Sequence, residues 1–98
     1  MKIRWMPLAE QDLEAAFEYV RGDNPQAAAR LVERFFEAVE MLSQYPSAGH
    51  SGRVPSTREL SIARTPYIVV YRPVRDEIQI LSILHGARRW PESFAKST

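Results

Sequence analysis

The apolar positions of this chain change period once, and the change divides it in two. In the first half they recur every three or four residues. Leu13, Ala16, Phe17 and Val20 fall on one helical face. Ala28, Leu31, Val32, Phe35, Val39 and Leu42 fall on another, widened by Phe36. In the second half they come in short β-branched and aromatic runs: Leu60 to Ala63, Tyr67 to Arg72 and Ile78 to Leu84. Helical periodicity followed by strand-like runs predicts helices layered on a sheet.

Punctuation sets the boundaries. Lys2 to Met6 alternates basic and apolar residues and predicts a short first strand with Ile3 facing in. Pro7 suits the first turn of a helix, where its missing N–H costs nothing. Glu10, Asp12 and Glu14 follow, where the helix dipole favours negative charge. This helix is predicted over Leu8 to Arg21, stopped by Gly22. Asn24-Pro25 is a cap followed by proline at the first helical position, and it starts a second helix running to about Ser43. So short a connection predicts an antiparallel hairpin. Its Met and Phe positions read as core, with a second apolar edge open to a partner helix. Tyr45-Pro46 ends the helix. Pro46 to Thr57 predicts a loop, long for this chain, that carries His50.

In the strand region, Tyr67, Val69 and Tyr71 share one face and Ile68, Val70 and Arg72 the other. Neither face is wholly polar, so this strand should be central. Pro73 and Arg75-Asp76 turn the chain into the last strand. Strict alternation there places Ile78, Ile80 and Leu84 on one face and Gln79, Leu81 and Ile83 on the other. Gly86 permits a kink, and the tail from Arg88 leaves the sheet. The predicted fold is an α/β (α+β) sandwich with residues 1–98 in one domain. An N-terminal helical hairpin packs on a three- to four-stranded, mostly antiparallel sheet.

Composition narrows the function. With 98 residues, 45% apolar and 26% charged, the chain reads as one small globular domain. No apolar run is long enough to span a membrane, and no apolar stretch follows Met1 to Trp5 as a signal peptide requires. Cysteine is absent. That excludes disulfides and thiolate metal sites, suits a reducing compartment and predicts a cytoplasmic location. No glycine-rich phosphate loop or nucleophile elbow occurs, so neither metal nor cofactor is expected.

The net charge of +1 hides an asymmetry. Residues 1–52 hold five Lys/Arg against eight Asp/Glu, and residues 53–98 eight against four, giving −3 and +4. A cationic sheet end suits an anionic partner. The binding candidates are Arg58, Arg64, Arg72, Arg88 and Arg89, whose guanidinium forks match phosphate or carboxylate, and Trp90, which can stack on a base or fill a protein pocket. Glu59 and Asp76-Glu77 read as salt-bridge partners of neighbouring arginines. No catalytic residue is assigned in the main reading. The alternative is a metal-free ribonuclease with His85 as base and Arg64 and Arg88, with Arg72, on the phosphate.

Three pieces in order, "REL" (Arg58 to Leu60), "TPYIVVYR" (Thr65 to Arg72) and "ILHGARRWP" (Ile83 to Pro91), together with the preceding hairpin, resemble the RelE/ParE superfamily of bacterial toxins from type II toxin–antitoxin systems. The resemblance implies a toxin that arrests growth until a cognate antitoxin binds it in a hetero-oligomer. RelE-like members cut messenger RNA in the ribosome; ParE-like members inhibit DNA gyrase. RelE-type sites carry lysines where this chain has Glu59 and Ser61, an arginine where it has Ile68, and a tail tyrosine where it has Phe94; Arg88 alone matches. The resemblance therefore implies the ParE branch and gyrase as target, with ribosomal mRNA cleavage as the alternative.

Overall fold

A single residue, Asn24, joins the two helices. In the computed structural model, which describes residues 1–86, its backbone N–H donates to Val20 O (2.8 Å) and closes α1 (Pro7–Asp23). Its side-chain oxygen accepts from Ala27 N (3.1 Å) and opens α2 (Pro25–Gln44). Pro25 forces this break, because the residue before a proline is pushed out of the helical region; Asn24 sits at φ −155°, ψ 100°. Gly22 was the expected stop, yet it stays inside α1. One glycine weakens a helix by only about 1 kcal/mol, and the true breaker is Pro25.

The sheet has five strands in the order β1-β5-β4-β3-β2. They are β1 (Lys2–Trp5), β2 (His50–Ser51), β3 (Arg58–Ser61), β4 (Tyr67–Val74) and β5 (Glu77–His85). β1 runs parallel to β5 and the other pairs are antiparallel. The class agrees with expectation and the count exceeds it by one. The additional strand, β2, is two residues of the predicted loop that pair with Glu59 and Arg58. β3 begins two residues earlier than its apolar run suggests. β4 continues through Pro73, which pairs with Ile78 on one side only. β3 has already ended there, so the missing N–H costs no ladder bond.

The helices cover one face of the sheet. Ala9, Ala16, Leu31, Phe35, Val39 and Leu42 meet Ile62, Val69, Tyr71, Ile78, Ile80 and Ile83, with Ile3 and Trp5 packed against the same core. Phe35 is fully buried, whereas its neighbour Phe36 is half exposed; burial of a side chain like Phe35 contributes about 1.5–3 kcal/mol.

Ile83 overturns the expected alternation of β5. Val70 pairs with Ser82 but Tyr71 pairs with Ile80, so Leu81 is skipped in a β-bulge. The bulge returns Ile83 to the core beside Ile78 and Ile80, and sets Leu84 opposite Ile68 on the other face. Asp12 of α1 reaches this irregularity. One of its oxygens accepts from Ser82 Oγ (2.7 Å) and from Ile83 N (3.0 Å), tying the first helix to the last strand.

Candidate functional site

The predicted arginines separate into three groups. Arg58 turns inward on the fold. Its Nε and Nη2 donate to Gly49 O (2.9 and 2.6 Å), and Nη2 also reaches Ser47 O (3.2 Å). The same loop is held from below by Tyr71, whose hydroxyl donates to Pro46 O (2.7 Å) and accepts from Gly49 N (2.9 Å). Gly49 has no room for a side chain: a Cβ would lie 2.6 Å from Glu59 O and 2.8 Å from the Tyr71 ring. Close backbone approach is the reason glycine stands there.

Arg72 lies on the sheet face away from the helices. Its Nε and Nη2 donate to Gln79 Oε1 (3.3 and 2.8 Å); Gln79 Nε2 donates to Glu77 Oε2 (2.8 Å), and Arg4 approaches that carboxylate at 4.0 Å. This row across β4, β5 and β1 bears out Glu77 as an ion-pair partner. Glu59 is paired as well. It is buried, with Arg53 N donating to Oε2 (3.0 Å) and Arg53 Nε at 3.9 Å.

Arg64 is different. It sits in the turn between β3 and β4 at φ 65°, exposed. Thr65 holds that turn by donating to Ile62 O through both its N–H (3.2 Å) and its hydroxyl (3.0 Å). Beyond the turn lies a cleft of about 340 Å³ between the C-terminal part of α1, the first turns of α2 and the end of the sheet. Arg64, Arg30 and Arg34 line it with Tyr19, Tyr67 and His85. Its apolar part comes from Val20, Ala27, Leu31 and Pro66. Arg34 Nη1 donates to Arg64 O (3.4 Å). Among the described residues, Arg30 and the Arg64 guanidinium make no ion pair. The His85 ring meets Tyr67 edge to face (centroids 5.5 Å apart), and Tyr67 meets Phe35 in the same manner (5.6 Å). A chain of rings thus runs from the core to the cleft.

The structure therefore brings His85 and Arg64 to one site and keeps Arg58 and Arg72 away from it. Arg88, Arg89, Trp90 and Phe94 lie outside the described residues. Arg30, Arg34 and Tyr19 were not singled out in the sequence. For the arginines the signal was present, since Arg30 and Arg34 stand four residues, about one turn, apart on α2; Tyr19, which is 73% exposed, carried none. Among the described residues no cluster of His, Cys, Asp or Glu can hold a metal ion, and no helix is long and apolar enough to cross a membrane. Chemically the cleft offers three guanidinium groups and an imidazole over an apolar floor, an arrangement that binds anions.

A second groove, of about 420 Å³, is mostly apolar. Trp5, Leu13, Phe17, Val32 and Phe36 line it, with Glu10 and Glu14 at its border. Trp5 and Phe36 are in ring contact across it (5.8 Å). This groove is the second apolar edge expected of the hairpin.

Comparison with known proteins agrees with this architecture. Residues 3–90 match the family described as ParE toxin of type II toxin-antitoxin system, parDE. Toxin Y4kP of Sinorhizobium fredii is 44% identical over 91 residues, covering 93% of this chain and 94% of that one. Toxin RelE1 of Caulobacter vibrioides is 32% identical over 80 residues, covering 80% and 85%. A solved chain from the chromosomal ParDE TA system of P. aeruginosa superposes with a TM-score of 0.80 at 32% identity, covering 87% of this chain and 95% of that chain. With the family matched over nearly its whole length, this chain belongs to the ParE toxins of type II toxin–antitoxin systems, within the RelE/ParE superfamily.

Proposed function

We propose that this toxin acts in the cytoplasm by binding and inhibiting DNA gyrase, with no bond-breaking chemistry of its own. A cognate antitoxin neutralises it in a hetero-oligomer. The observation that carries this reading is Glu59. On the strand where RelE-like members place lysines, this chain buries a carboxylate against the loop backbone. A buried carboxylate in that place supplies no cation to the charge that develops on a phosphate during cleavage, and each missing cation of that kind costs about 10²-fold or more in rate. The antitoxin is proposed to lay an amphipathic helix in the groove of Trp5, Phe17 and Phe36, the usual way such a helix meets a partner.

One observation favours the second reading, a ribosome-dependent endoribonuclease: His85 and Arg64 line one cleft. The two readings part in a paired assay of the purified chain, with gyrase supercoiling of a plasmid measured beside transcript cleavage on translating ribosomes. Inhibited supercoiling with intact transcripts is the expected result; cut transcripts with unaffected gyrase would reverse the order. His85→Ala sharpens the assay, because the ribonuclease reading requires loss of cleavage.

A further inference from the structure

Resting on the gyrase reading for its choice of partner, we propose that the corner of the sheet where β1 begins holds the phosphate backbone of duplex DNA. Lys2, Arg4, Arg72 and Arg75 supply the contacts, and the arginine-lined cleft takes no part.

Topology is the first argument. About seventy residues of chain separate the first two cations from the last two. They meet because β1 joins the sheet beside β5, whose other neighbour is β4. Arg4 pairs with Gln79 and Gln79 with Arg72, so two guanidinium groups flank one glutamine in a row. Ile3 and Trp5 pack toward the core, which turns Lys2 and Arg4 to the same open face as Arg72. Along β1 the backbones of Lys2 and Arg4 lie about 6.6 Å apart, and those of Arg4 and Arg72, two strands apart, about 9.5 Å. Cations set out in rows suit a charge that repeats along a rod.

The second argument is how little the fold uses these side chains. Lys2, Arg4 and Arg75 are exposed. Among the described residues the side chains of Lys2 and Arg75 make no hydrogen bond or ion pair. Arg4 reaches Glu77 at 4.0 Å with 65% of its side chain exposed. Arg72 is held by Gln79, a neutral group, and Glu77 is taken up in part by Gln79 Nε2 (2.8 Å). Arg75 also stands at φ 57°, in the first position of the two-residue loop between Val74 and Glu77, where a tight hairpin takes glycine. Strain of this kind is retained where it places a group for a ligand.

The surroundings choose the partner. Beside the four cations on this face stand Glu77, Gln79 and the half-buried Val74. A protein interface is anchored by buried apolar and aromatic side chains, which this corner does not offer. A single strand is held by stacking its bases on aromatic rings, and Trp5 turns the other way. Contacts to the backbone of a duplex need only cations.

The test titrates the full chain into a short fluorescein-labelled DNA duplex and reads anisotropy at several salt concentrations, beside the supercoiling assay. Wild type is expected to bind with an affinity that falls as salt rises. The double variant Lys2→Gln, Arg4→Gln should bind about 10-fold more weakly, with a log–log salt slope shallower by about 2. Arg75→Gly, which relieves the backbone while removing one cation, should weaken binding about 3-fold. Wild-type affinity and slope in either folded variant overturn the proposal, as does a wild-type chain that binds no duplex. A loss confined to Arg30→Gln, Arg34→Gln overturns it too, because the contact then belongs to the cleft. An RNA duplex of the same sequence is titrated in parallel, and tighter binding there overturns the choice of DNA. Duplex binding that the variants weaken, in a chain that leaves gyrase unaffected, upholds the surface and removes the gyrase reading. Inhibited gyrase without duplex binding does the reverse.

Discussion

Arg58 opens strand β3 and Arg64 follows its end, yet the two arginines belong to different economies of contact. Arg58 gives three hydrogen bonds to the carbonyls of Ser47 and Gly49 and holds a loop. Arg64 gives none from its side chain to the described residues and occupies a backbone conformation it does not favour. One end of the sheet is closed by its cations, and the other presents them. Residue type and position in the chain do not distinguish the two roles; the carbonyls within reach do. A loop whose backbone turns inward takes up guanidinium donors, and a tight turn with its carbonyls already bonded leaves them outward.

The comparison breaks most sharply at the closed end. Tyr71 is fully buried with its hydroxyl between Pro46 and Gly49, so Tyr71→Ala should cost about 3–5 kcal/mol by urea denaturation, enough to unfold a marginal domain. Gly49→Ala is expected to lose about 1–3 kcal/mol, because the new methyl group meets the Glu59 carbonyl and the Tyr71 ring, neither of which can withdraw. Arg58→Ala should cost a similar or slightly smaller amount, about 1–3 kcal/mol, by leaving loop carbonyls without donors. A melting temperature equal to wild type in that variant would erase the distinction between the two ends. At the open end the effect on folding should nearly vanish. Arg64→Gly is expected to change stability by no more than about 1 kcal/mol, with relief of the left-handed backbone favouring the variant. A large destabilisation there would mean that Arg64 also supports the fold.

Local chemistry is what the sequence expresses, and local features were readable from it. Asn24-Pro25 announced the helix junction. The apolar stripe from Ala28 to Leu42 announced the buried face of α2, and the runs after Leu60 announced the hairpin of β4 and β5. The bulge at Leu81 was hidden because the group that meets it lies in α1: Asp12 accepts from Ser82 and Ile83, some seventy residues further along the chain. β2 was hidden because two residues within a Gly/Pro loop carry no periodicity. At the site, His85 and Arg64 were readable as a pair, whereas Arg30 and Arg34 lay in the half whose net charge is negative. Counting charge by halves concealed two cations that the helix turns toward the basic end.

The pairing of β1 with β5 has a consequence for the way the protein is made. Lys2 to Trp5 precede the other elements in the chain, and among the described residues their neighbour in the sheet is the strand that begins at Glu77. The Asp12 contact likewise waits for Ser82. A nascent chain can therefore coil its helices early but has nowhere to lay them until nearly all of the sheet has emerged, and contacts so distant in sequence form slowly. The sheet thus closes on its first strand only after its last one has been made.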